Sequence, residues 1–149
     1  MESAVPGPDK WALYGWHKSV GMAILIFAII RLGWRLSNPV PTLGFMPKLE
    51  RLAAQVGHIA LYIILIGFPI SGYMMSVAGG HDVIMFNLWQ VPSIIEPNQQ
   101  IGKIASFFHH TIFTKGVYVV VGIHILAALR HHFLLKDNVL RRMLPLKLK

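Results

Sequence analysis

The stretch HHTIFTKGVYVVVGIHILAALRHH, residues 109–132, decides the fold. It is apolar and patterned as a helix, and histidines stand near both of its ends. Fourteen residues separate His110 from His124. At 100° per residue this puts both imidazoles within about 40° of one helix face, about 21 Å apart along the axis. A bilayer's hydrocarbon core is about 30 Å thick, so the two rings stand at the levels of opposite leaflets. An imidazole inside a membrane is costly and asks for a partner. The spacing therefore points to two haems stacked across a membrane. His109 competes with His110 for the outer position: its offset from His124 is fifteen residues, which leaves it about 60° off that face.

The rest of the composition agrees. Of 149 residues, 54% are hydrophobic and 13% charged, against about 25% charged in soluble domains. An all-α integral membrane protein follows, one domain over residues 1–149. Three transmembrane helices are expected at about 16–36, 52–78 and 104–135. Pro69 falls inside the second and predicts a kink there. The first linker is Pro-rich, SNPVPTLGFMPK, and the second, Gly79 to Lys103, carries Trp89 and aliphatics that predict a segment lying along the membrane interface. No cysteine is present, so disulfides, iron–sulfur clusters and covalently attached haem are excluded. The first 18 residues lack the apolar run of a signal peptide.

The formal net charge of +8 would suggest nucleic acid in a soluble chain, but here the basic residues gather at the ends of apolar segments. Arg31, Arg35, Lys48, Arg51, Arg130, Lys136, Arg141, Arg142, Lys147 and Lys149 share one side. Lys10, Lys18 and Lys103 lie on the other, with Lys115 deeper in a span. The positive-inside rule then puts the C-terminus in the cytoplasm and the N-terminus outside, which three spans satisfy.

His17 precedes the first span at the level of His110, and Gly21 follows one turn deeper on the same face, where a side chain would collide with a macrocycle. Arg31 continues that face to the level of His124 and is placed to pair with a propionate or simply to snorkel. His58, in the second span, suits a hydrogen bond to a haem edge, propionate or carbonyl. Arg130, His131 and His132 gather at the inner end of the third span, where hydrogen bonds to a quinone carbonyl or a proton relay are open to them. His81 reads as solvated. A histidine-lined metal transporter fits poorly, because all six acids lie in loops or near helix ends.

Together, WHKSVGMAILIFAIIRLGWRLSNPVP, GHIALYIILIGFPISGYMM and HHTIFTKGVYVVVGIHILAALRHHFLLKDNVLRRMLP resemble the prokaryotic cytochrome b561 family, over nearly all of Tyr14 to Pro145. The resemblance implies haem b in a four-helix membrane bundle, two haems per chain in the family, with His17 and His110 on the outer one and His124 on the inner. It implies electron transfer in the bacterial inner membrane from an outer donor, such as superoxide, to quinone. The alternative it carries is a haem-bearing anchor subunit of a larger dehydrogenase. Family members carry the fourth axial histidine on a first helix; Met1 to Lys10 resembles the loop after it. A wrongly assigned or truncated start, a helix supplied by another subunit, and a chain holding the outer haem alone are the three explanations, and a homo-oligomer is open to the chain. His58 stands as the substitute fourth ligand.

Overall fold

The computed structural model describes residues 7–38 and 47–137. Residues 1–6, residues 39–46 of the Pro-rich linker and the basic tail beyond Asp137 lie outside the described residues. Helix α1 spans Pro8–Ser37 and α2 spans Lys48–Ala78. A two-stranded hairpin follows, β1 Val83–Met85 and β2 Trp89–Val91, antiparallel with Ile84 opposite Gln90. Helix α3, Gln99–Phe107, then runs through a π turn, Phe108–Phe113, into α4, Thr114–Phe133. Three helical stretches are long and apolar enough to cross a membrane: Asp9–Ser37, Lys48–Ala78 and Gln99–Phe133.

Each helix is longer at its outer or inner end than hydropathy alone suggests, because the start signals are polar. Pro8 and Asp9 occupy the first turn of α1, where a proline sacrifices no bonded N–H and an acid meets the helix dipole. Asn98 caps α3, its side-chain oxygen accepting from the N–H groups of Gln100 (3.0 Å) and Ile101 (3.1 Å). Helix α2 runs through Pro69 without a break in its helical span. The segment expected along the interface is thus folded in part as a hairpin.

Helix α2 is the centre of the bundle. It packs against α1 on one side and against α3, the π turn and α4 on the other; among the described residues α1 and α4 make no direct backbone approach. The seams use small residues, with Ala28, Ser71, Ser76, Ala78 and Ala105 all buried. Lipid gives apolar helices no hydrophobic reason to associate, so close approach through small side chains does that work. The large apolar side chains Ile24, Phe27, Ile59, Ile63, Val119 and Ile123 face outward, as a lipid-facing surface requires. Gly67 shows how tight the α2 seam is: a Cβ there would run into the ring of Phe113. Gly67→Val is expected to cost about 1–3 kcal/mol by overpacking, read as a lower thermal midpoint in detergent.

Candidate functional site

Two pairs of imidazoles come together between the helices, one pair towards each end of the bundle. In the outer pair the ring of His17, on α1, lies 6.0 Å from that of His109, in the π turn. In the inner pair the ring of His58, on α2, lies 5.9 Å from that of His124, on α4. The expectation for the outer position shifts by one residue: the structure brings His109, not His110, against His17. His109 is 8% exposed, while His110 faces outward beside it.

The π turn is the physical reason. A π turn is in effect a one-residue insertion into an α-helix. Fifteen residues that include it turn through about the angle of fourteen α-helical ones, which returns His109 to within about 40° of the His124 face. Thr114 secures the wide turn, its hydroxyl donating to the carbonyl of His109 at 2.8 Å.

His109 is held from behind by α2. Its Nδ1 lies 3.1 Å from the Phe68 carbonyl and 3.2 Å from Ser71 Oγ, and the Ser71 hydroxyl itself donates to that carbonyl at 2.7 Å. A carbonyl accepts only, so Nδ1 carries the proton and Nε2 keeps its lone pair. Metal-bound histidines are oriented in this way, by donating the other ring N–H to a backbone carbonyl. The ring also needs Gly72, where a Cβ would sit 2.8 Å from His109 Cε1. Neither Ser71 nor Gly72 was singled out from the sequence; the available signal was the run of small residues in FPISGYMM.

The spacing is the one that two axial imidazoles on a single iron need. With metal–imidazole nitrogen bonds of about 2 Å, two rings on opposite sides of one metal have centres about 6 Å apart, and both pairs meet that spacing. Gly21 stands one turn from His17, and a Cβ there would meet nothing within 4 Å, so that flank is open to a flat ligand. No group of three or more metal-ligating side chains occurs among the described residues, and axial ligation of haem needs only two per iron.

Comparison with known proteins supplies the family. The profile described as prokaryotic cytochrome b561 matches residues 1–146. The chain belongs to that family. Cytochrome b561 homolog 2 of Escherichia coli (strain K12) is 37% identical over 131 residues, which cover 86% of this chain and 68% of the relative. The probable superoxide oxidase CybB of Yersinia pestis is 35% identical, covering 88% of this chain and 74% of its own. Cytochrome b562 of Cereibacter sphaeroides is 26% identical, covering 86% and 65%. Family membership makes this a membrane haem protein of the bacterial inner membrane, with a role in electron transport.

The other residues expected at the site divide clearly. Arg31 donates to the Tyr62 hydroxyl at 3.0 Å and lies over its ring at 5.7 Å, one turn beyond His58 on α2. Arg130 is engaged by Glu50, with both terminal nitrogens 3.2 Å from one carboxylate oxygen. His131 Nδ1 meets Asp137 Oδ2 at 2.6 Å. Among the described residues, His132 makes a ring contact with Phe133 at 4.7 Å. At the outer rim Lys18 donates to the Asp82 carbonyl at 3.0 Å, and Lys10 lies over the Tyr14 ring.

Proposed function

We propose that this chain carries electrons across the membrane through two b-type haems, the outer held by His17 and His109 and the inner by His58 and His124. The observation that supports it most is the recurrence of one spacing: two imidazole pairs, 6.0 and 5.9 Å between ring centres, about 21 Å apart along the third span. Bound haem supplies a one-electron iron couple that bis-imidazole ligation closes to oxygen binding. The chain's part is positional. Phe68 and Ser71 fix the tautomer and rotation of His109, and Gly21 leaves room beside His17. Arg31, held by Tyr62, keeps a cation at the level of the inner pair, where a propionate is its natural counter-ion.

Charge asymmetry supports an N-terminal side facing out and a C-terminal side in the cytoplasm. An outer donor is then the reading, with superoxide favoured by the name of the Yersinia pestis relative and by the lysines Lys10, Lys18 and Lys103 at that rim. Membrane quinone is the acceptor, at the inner end near Arg130, His131 and His132. Replacing His131 and His132 together by alanine is expected to slow quinone reduction at least several-fold with haem content unchanged. Loss of haem instead would make them structural.

The deciding experiment is a pyridine haemochrome assay on the purified chain, with low-spin EPR of the same sample. Two haems per chain are expected, falling to one in His58→Ala with the outer signal unaltered. One haem in the unmodified chain overturns the inner pair, and a colourless protein overturns the whole reading.

A second reading, a haem-carrying membrane subunit of a larger dehydrogenase, is favoured by the lack of packing between α1 and α4 among the described residues, where a further helix could lie. Quinone reduction by the chain purified alone separates the two.

A further inference from the structure

Residues 83–95, VIMFNLWQVPSII, contain no charged side chain, and Asp82 and Glu96 flank them. The hairpin within them closes through a turn with positive φ at both central residues, Phe86 (51°) and Asn87 (58°), and the Leu88 N–H donates to the Met85 carbonyl at 3.0 Å. That is the turn whose twist suits a hairpin, but a bulky aromatic at its first position is unusual. What holds Phe86 there is α1. Its N–H donates to Ser19 Oγ at 2.8 Å, and its ring meets that of Trp16 edge-on at 5.8 Å. Ser19 is 1% exposed; its hydroxyl lies within reach of both the Gly15 and Ile84 carbonyls.

The contacts fix where the hairpin lies. Asp82, Ile84 and Phe86 all meet α1 between Trp16 and Ser19, so the hairpin crosses that helix at one level and does not run along it. Tyr73 on α2 ties the far strand's exit at the same height, donating to the Pro92 carbonyl at 2.6 Å. Past α1 the turn projects sideways with Leu88 89% and Trp89 59% exposed. Directly beneath it begins the outward apolar face of α1, with Val20, Ile24 and Phe27.

We propose that the hairpin is a membrane anchor, its tip at Phe86, Leu88 and Trp89 seated in the outer boundary between lipid headgroups and acyl chains. An uncharged, apolar hairpin edge standing in water invites aggregation. Lipid is the cover favoured here because the tip leaves the protein at the upper edge of a surface that already faces lipid. Trp16, Tyr73 and Trp89 gather at that height, as interfacial aromatics do. The anchor sets the height of α1 two residues from His17, and with it the depth of the outer imidazole pair.

The chain has no cysteine, so Leu88→Cys and Glu96→Cys each give a single labelling site on the whole protein in phospholipid nanodiscs. Spin-label power saturation with oxygen and a water-soluble nickel chelate reads depth. Oxygen is expected to dominate at position 88, at a depth of about 5–10 Å, and the nickel chelate at position 96. In a parallel sample with Trp11, Trp16 and Trp34 replaced by phenylalanine, brominated lipid is expected to quench Trp89 and iodide to leave it unchanged. Nickel accessibility at position 88 equal to that at 96 overturns the proposal by placing the tip in water. Protection from both reagents with spin–spin broadening overturns it by placing the tip against a second copy.

Discussion

His109→Ala is expected to remove the outer haem, and His110→Ala to leave it in place. The two residues are neighbours, their rings 5.2 Å apart, so general damage to the segment would affect both variants alike. The difference between them lies in what stands around each ring. His109 is buried against Phe68, with its Nδ1 proton directed to a carbonyl of α2 and His17 opposite. Truncating it leaves the outer site one axial ligand and a void beside Gly72. Haem content should fall by about one equivalent per chain, with loss of one bis-imidazole EPR signal. His17→Ala should reproduce that loss, and His110→Ala should keep both signals. A smaller lesion tests the same packing: Gly72→Ala pushes a methyl group against the His109 ring, and should broaden or shift the outer signal while the inner one stays fixed. Retention of the outer signal in His109→Ala with its loss in His110→Ala would return the ligand to the position that simple helical counting favours.

That one-residue shift marks the boundary of what the sequence discloses. Spans are legible because lipid permits only long apolar helices with their backbone satisfied internally, and this leaves a hydropathy signature. All three spans, and the face shared by His17 and Gly21, follow from counting residues. A π turn leaves no such signature. The Thr114 hydroxyl reaches the His109 carbonyl only once the wide turn has formed, and α2 behind the ring is a contact closed in three dimensions. The hairpin was hidden for a related reason: its apolar run gives no sign of strand pairing until Ser19, a small polar residue in a distant helix, is seen to fasten it. Tyr62, likewise, becomes a partner for Arg31 only when α1 and α2 pack.

A single-residue deletion and a double one should give opposite results. If the π turn is one residue inserted into an otherwise α-helical span, deleting Ile112 on its outward face lets the segment close as a regular helix. His109 and His124 then keep their places, now fourteen residues apart in sequence. Haem content and both EPR signals are expected to stay close to those of the unmodified chain. Deleting Val119 from α4 as well offers no such relief. It removes a residue from a regular helix and rotates everything beyond by about 100°, with a shift of about 1.5 Å. His124 then turns away from His58, and the inner signal should be lost while the outer one remains. Loss of the outer signal on deleting Ile112 would mean that the π turn itself, and not the register it restores, is what the outer site requires. The comparison separates the shape of the helix from the phase it delivers, and the phase is what sets two imidazoles on one line across the bilayer.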